Sequence, residues 1–304
     1  VVLRIVQMKR GLVLTLGCFI AILLVGCDST KMGADSNKEQ FYVFLCFGQS
    51  NMEGFPRTIQ EQDMTVDSRF QMMAAVDMPG MDRVKGNWYD AVPPLCRADS
   101  GLCPADYFGR TLAANLPENI KVGVINVSVA GCKIECFEKE GSESYISSAA
   151  GWLKNIVKNY DNNPYQYLID LGKQAQAEGG VIKGILLHQG ESNTGDNEWP
   201  NKVKGIYDNM LADLNLKAED VPLLAGEVVN ADQRGQCAGF NNILAKLPET
   251  VPTAYVISSA GCTSAERLHF NSAGYRLLGT RYGEKMVELL GYEVAKTDEQ
   301  APAN

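Results

Sequence analysis

Five apolar runs constrain this chain more than anything else in its sequence. They are FYVFLCF at 41–47, KVGVINVSV at 121–129, VIKGILLHQ at 181–189, VPLLAGEVV at 221–229 and TAYVISSA at 253–260. Their apolar residues are nearly continuous rather than strictly alternating. Strands of that kind are buried on both faces, as happens in a parallel sheet with helices on either side. Helix-like stretches stand between them: Ala105 to Asn115, Pro164 to Ala177, Pro200 to Leu214 and Asn241 to Leu247. A last helix is expected after Asn271, with Asn271 or Ser272 as its N-cap and Leu277, Leu278, Tyr282, Met286 and Leu289 on one face. The alternation predicts an α/β fold, a three-layer α/β/α sandwich around a parallel five-stranded sheet. A length of 304 residues suits one such domain, and no internal repeat is visible.

In sheets of this class ligands bind at the carboxyl ends of the strands. That rule brings four polar stretches to one edge. Ser50 follows the first run, Gly131 the second, His188 to Asn193 the third and His269 the fifth. Residues 56–104 read as a long irregular insertion, expected to fold over that edge and shape the substrate site.

The first 26 residues read differently. Arg4, Lys9 and Arg10 precede the apolar run GLVLTLGCFIAILLVG, the layout of a secretory signal. The run is short for a spanning helix, which needs about 20 apolar residues. Its end, Leu24-Val25-Gly26-Cys27, resembles the bacterial lipobox, which implies cleavage before Cys27 and lipid attachment to its sulfur; an uncleaved anchor helix is the other reading. Residues 27–40 then form a polar tether, 41–292 the catalytic-type domain and 293–304 a polar tail. Either reading ties the domain to a bacterial envelope membrane, facing away from the cytoplasm. The formal charge is −8, from 28 basic and 36 acidic residues. Removing three basic residues with the signal makes it −11. Such a surface disfavours nucleic acid or an anionic polymer and is compatible with a neutral one. Seven cysteines lie in the domain. Cys96/Cys103, Cys132/Cys136 and Cys237/Cys262 are the natural local disulfide pairings in an exported chain, with Cys46 a buried free thiol. A zinc site is the weaker rival, because there is no CxxC and only two His.

A serine hydroxyl attacks only when a base takes its proton. The candidates are His188 and His269. Glu266, three residues before His269, is close enough to hold the imidazole Nδ1. The plain alternative for His269 is a helix-flanking residue that packs. For the oxyanion of acyl transfer, the candidate donors are the Ser50 N–H, the Gly131 N–H and the Gln189 side chain. Taken singly each is a weak signal. Trp88, Tyr89, Trp152 and Trp199 follow loops near the expected edge and could grip a sugar, though ordinary core packing is the favoured reading of each taken singly.

FGQSNMEG, HQGESN and ERLHFNSAGYRLLGTRYGE, in this order, resemble the SGNH-hydrolase superfamily, whose fold is flavodoxin-like. Within it the chain is similar to the sialate O-acetylesterase and acetylxylan esterase group, carbohydrate esterase family 6. The resemblance covers roughly Phe41 to Leu290, with the insertion poorly matched. It implies Ser50 as nucleophile, His269 as base and then acid, and Ser50, Gly131 and Gln189 as the oxyanion hole, with Asn51 bracing the turn. The family commonly has Asp where this chain has Glu266; Glu191 is a second candidate for orienting His269. His188 is expected to be structural or substrate-facing. The GxSxG elbow is absent, because Met52 occupies its last position. The implied activity is hydrolysis of acetyl esters on a polysaccharide or glycan, without metal or organic cofactor. Two other readings stay open: an inactive carbohydrate-binding lipoprotein on the same fold, and an SGNH esterase for another ester such as a lipid.

Overall fold

The protein is described from a computed structural model, which covers residues 39–295. The signal-like segment, Cys27, most of the tether and the end of the tail lie outside those residues. Seven strands form one sheet: β1 (Gln40–Gly48), β2 (Phe70–Met73), β3 (Trp88–Asp90), β4 (Ile120–Ser128), β5 (Val181–His188), β6 (Leu223–Gly226) and β7 (Ala254–Ile257). Their spatial order is β3-β2-β4-β1-β5-β6-β7. All neighbours are parallel except β2 and β3.

The five expected strands are present, and the two further ones correct the expected count. Both come from the insertion. β2 has four residues and β3 three, too short for a periodicity to show, and β3 is a half-exposed edge. The insertion therefore widens the sheet instead of covering its functional edge. Asn241 to Leu247 is also corrected: it divides into two short helices, Asn241–Leu244 and Leu247–Thr250, the second starting on a Leu-Pro pair.

The continuous apolar run of β1 has the expected cause. Val43, Leu45 and Phe47 enter the core on one face of the sheet, and Phe44 and Cys46 enter the core on the other. Successive side chains point to opposite faces, so a strand covered on both sides needs apolar residues throughout. Each large side chain so buried contributes roughly 1.5–3 kcal/mol. The first face is covered by the helices Pro164–Ala177 and Trp199–Asp213, the second by Pro104–Asn115 and Ser272–Leu289. Asn271 caps the last helix, its side chain accepting from the Gly274 N–H at 2.9 Å. On that helix Leu278, Tyr282 and Met286 are buried, but Leu277 faces solvent.

The expected disulfides are not formed. All seven domain cysteines are buried free thiols, Cys46 among them as expected. Several face polar partners instead of each other: the Cys96 Sγ lies 3.3 Å from the Tyr160 hydroxyl, and Cys262 accepts from Arg281 at 3.5 Å. These thiols are packed as core residues. Among the described residues no helix is long and apolar enough to cross a membrane.

Candidate active site

The carboxyl ends of β1, β4 and β5 lie side by side, because β1 is the central strand. At the end of β1 the chain must turn out of the sheet while Gly48 is still paired with Ser128 on one side and His188 on the other. A Cβ on Gly48 would fall 2.1 Å from the His188 carbonyl oxygen, so only glycine fits. The Gln49 N–H donates to that same carbonyl at 3.1 Å. A short helical turn, Ser50–Glu53, then begins on Ser50 itself.

His269 arrives from the segment between β7 and the last helix. Its Nε2 lies 2.8 Å from the Ser50 Oγ. Its Nδ1 is bonded to the Glu266 carboxylate, whose second oxygen accepts from the Leu268 N–H at 3.1 Å. The Glu side chain, longer than the family's usual Asp, thus spans the distance. The edge of the Phe55 ring packs on the imidazole with centroids 4.7 Å apart. Ser50, His269 and Glu266 form one connected line.

Glu191 does not reach His269. Its Oε1 accepts from the Asn51 amide at 2.5 Å, and its Oε2 is buried without a partner. Burial holds this carboxyl above the usual range, even though the Asn51 hydrogen bond favours its charged form. Asn51 goes on to bond the segment carrying His269, so Glu191 touches the base only through an intermediary. His188 is ruled out as the base by its position. It is fully buried, its Nε2 bonds to the Glu227 carbonyl at 3.0 Å, and burial pushes its pKa down to about 4.

The oxyanion donors divide. Ser50 and Gly131 both line the pocket, and neither N–H is engaged by an acceptor among the described residues. Gly131 has φ +67°, a conformation natural to glycine. Gln189, by contrast, is fully buried beneath the pocket. Its Nε2 donates to Asn193, Gln49 and the Cys132 carbonyl at 2.7–3.2 Å, and its Oε1 accepts from Trp199 at 2.6 Å. The structure therefore assigns Gln189 to holding the floor and corrects its expected place in the oxyanion hole. Spacing could not reveal this, since the amide's direction depends on Trp199 and Asn193.

Two supports went unread in the sequence. The Gln49 Oε1 gathers the Gln189 amide and the N–H groups of Gly190 and Ser192 at 3.1–3.4 Å, tying the β1 turn to the β5 turn. Glu53 ties the β1 turn to the β4 turn: its Oε2 accepts from the Ala130 N–H at 2.7 Å, next to Gly131. Its Oε1 pairs with Arg97 at 2.6 Å, and both side chains are nearly buried. Burial raises the Glu53 pKa, and the guanidinium only partly offsets this. Arg97 is the insertion's contribution to the site, from beneath. The pocket itself has a volume of about 360 Å³, in the range of small-molecule sites. Of the sequence's aromatic candidates only Trp152 lines it; Trp199 is core, and Trp88 donates to Glu178 elsewhere.

Comparison with known proteins then decides the family. The model of the family described as "Carbohydrate esterase, sialic acid-specific acetylesterase" matches residues 40–288. The chain belongs to this family. The esterase is thus a carboxylic-ester hydrolase of the carbohydrate acetylesterase type. Its fold is shared by an Arabidopsis thaliana protein at 16% identity and TM-score 0.61, covering 81% of this chain and 98% of that one. A carbohydrate acetylesterase from Xanthomonas citri aligns at 19% identity and TM-score 0.57, over 81% of this chain and 56% of its own. NanS aligns at 16% identity and TM-score 0.58, over 84% and 98%.

Proposed function

We propose that the esterase removes O-acetyl groups from a carbohydrate through an acetyl-Ser50 intermediate. The observation that carries this reading is the continuous Ser50–His269–Glu266 hydrogen-bonded line at the mouth of the pocket. His269 Nε2 takes the Ser50 proton as Oγ attacks the acetyl carbonyl carbon. Glu266 keeps a proton on Nδ1, so that Nε2 is free to act as base, and stabilises the imidazolium formed. The negative charge on the former carbonyl oxygen is met by the N–H groups of Ser50 and Gly131. As the tetrahedral species collapses, His269 returns the proton to the departing sugar oxygen. Water then attacks the acetyl-serine, His269 takes its proton and passes it to the Ser50 Oγ as the acyl–oxygen bond breaks, and acetate leaves. Each step balances without any other reactant.

Ser50→Ala tests the assignment. Acetate release from acetylated sugars should fall by at least about 10³-fold with an unchanged circular-dichroism spectrum. Turnover at the wild-type rate would remove Ser50 from the mechanism.

The anchor belongs to the same proposal. Lipid attachment at Cys27 would hold the esterase in the bacterial envelope, where acetylated polymers are met. Incorporation of labelled fatty acid into the wild-type protein, and its loss in Cys27→Ser, is the expected result.

A further inference from the structure

Two aromatic side chains of this esterase are solvent-exposed. Phe55 is 45% exposed and Trp152 56%; every other Phe, Tyr and Trp among the described residues is buried or half-buried. Both line the one pocket that contains Ser50 and His269. They flank different parts of the machinery. Phe55 lies against the His269 ring. Trp152 lies over Gly131 so closely that a Cβ there would meet the indole at 2.5 Å. Phe55 and Trp152 both stay exposed within this pocket, so part of each ring is open to a ligand. A fold that otherwise covers its aromatic surface leaves these two exposed only beside the reacting serine, and an apolar patch so placed marks a binding site.

The charge of the lining narrows the ligand. Glu191 is the one ionisable carboxylate in it, and it contains no Lys or Arg. Arg57, Lys133, Lys154, Arg234 and Arg267 stand within two residues of lining positions, yet none of them lines the pocket. A sugar acid placed here would bring its carboxylate against a lining that holds Glu191 and no lysine or arginine, which disfavours it. A neutral pyranose instead offers a face of C–H groups that packs on an aromatic ring, while its hydroxyls stay in water.

Taking the acetylesterase reading as given, we infer that Trp152 and Phe55 form a stacking subsite for a neutral acetylated sugar ring, and that this esterase prefers such rings to acetylated sialic acids. The subsite sets which acetyl ester reaches Ser50 and takes no part in the bond changes.

The test compares three esters on purified enzyme: an O-acetylated methyl pyranoside of a neutral sugar, 9-O-acetylated sialic acid, and ethyl acetate, which has no ring to stack. The neutral pyranoside should have the highest kcat/KM. Trp152→Ala should lower kcat/KM for the pyranoside roughly tenfold more than for ethyl acetate, mainly through KM, the size of ~1.4 kcal/mol of lost contact. Trp152→Tyr should restore most of the difference. An equal loss for both esters, or faster release from the sialic acid, overturns the inference. Ser50→Ala separates it from the mechanism. If that variant still binds the unacetylated pyranoside with a change in tryptophan fluorescence that Trp152→Phe removes, the subsite stands whatever the nucleophile. No such binding at millimolar sugar, with or without Trp152, counts against the subsite.

Discussion

Asn51 grips the chain on both sides of His269. Its Nδ2 donates to the Leu268 carbonyl at 3.0 Å, and its Oδ1 accepts from the Phe270 N–H at 3.3 Å. The same Oδ1 accepts from the Tyr275 hydroxyl at 2.7 Å. The residue after the proposed nucleophile therefore fixes the height of the base above it, beyond bracing its own turn. Asn51→Ala should lower kcat by about 10- to 100-fold with KM nearly unchanged, since a misplaced base costs rate more than binding. It should also cost ~1–3 kcal/mol in urea unfolding, because Tyr275 and Glu191 lose a buried partner. A normal kcat in a destabilised variant would limit Asn51 to a structural role.

The two glutamates can be ranked by amide substitution. Glu266→Gln replaces the acceptor on His269 Nδ1 and should lower kcat by about 10²-fold or more. Glu191→Gln keeps an oxygen for Asn51 and should lose less than about tenfold. Initial rates on one acetyl ester decide this, and the reverse ranking would hand the orienting role to Glu191.

Glu53 separates stability from alignment. Glu53→Gln still accepts from the Ala130 N–H but leaves Arg97 only the more exposed Asp99, 3.4 Å from its Nε, as counter-charge, so it should cost ~1–3 kcal/mol in denaturant unfolding with modest loss of kcat. Glu53→Ala also frees Ala130, and with it the Gly131 donor, so kcat should fall further than in the glutamine variant. Identical rates in the two variants would show that the Ala130 bond does not align Gly131.

Asp106 gives a pH signature. It accepts from the Cys103 N–H at 2.8 Å, yet its Oδ1 is buried without a partner. Burial pushes its pKa up to about 7 from an ordinary 3.8. Between those values the folded chain keeps a proton that the unfolded chain has released. Its contribution is therefore full below the lower value and lost as pH rises through the upper one. Asp106→Asn should gain stability over wild type at about pH 8, on the order of a few kcal/mol, and gain little at about pH 4. Parallel denaturation curves at the two pH values would contradict the raised pKa.

The sequence was most informative where burial on two faces leaves a direct mark. The continuous run of β1 and the Asn271 cap needed no tertiary information. The Glu266–His269 contact was also legible, because a separation of three residues keeps both on one turn. Gln189 was not, since its amide direction is set by Trp199, ten residues on, and by the turn of another strand. β2 and β3 escaped notice because short strands carry no period, and the cysteine pairings because spacing says nothing about which way a thiol faces.

The proposed nucleophile and its proposed base come from opposite ends of the domain's sequence. Ser50 and His269 are separated by 219 positions. A ribosome completes the central strand and its serine early, yet the partner that can deprotonate that serine is among the last parts of the domain to be made. On the proposed mechanism a nascent or truncated chain carries an inert hydroxyl, and reactivity would appear only once β7 and the final helix have docked. Chemical competence would then report that translation of the domain has run almost to its end.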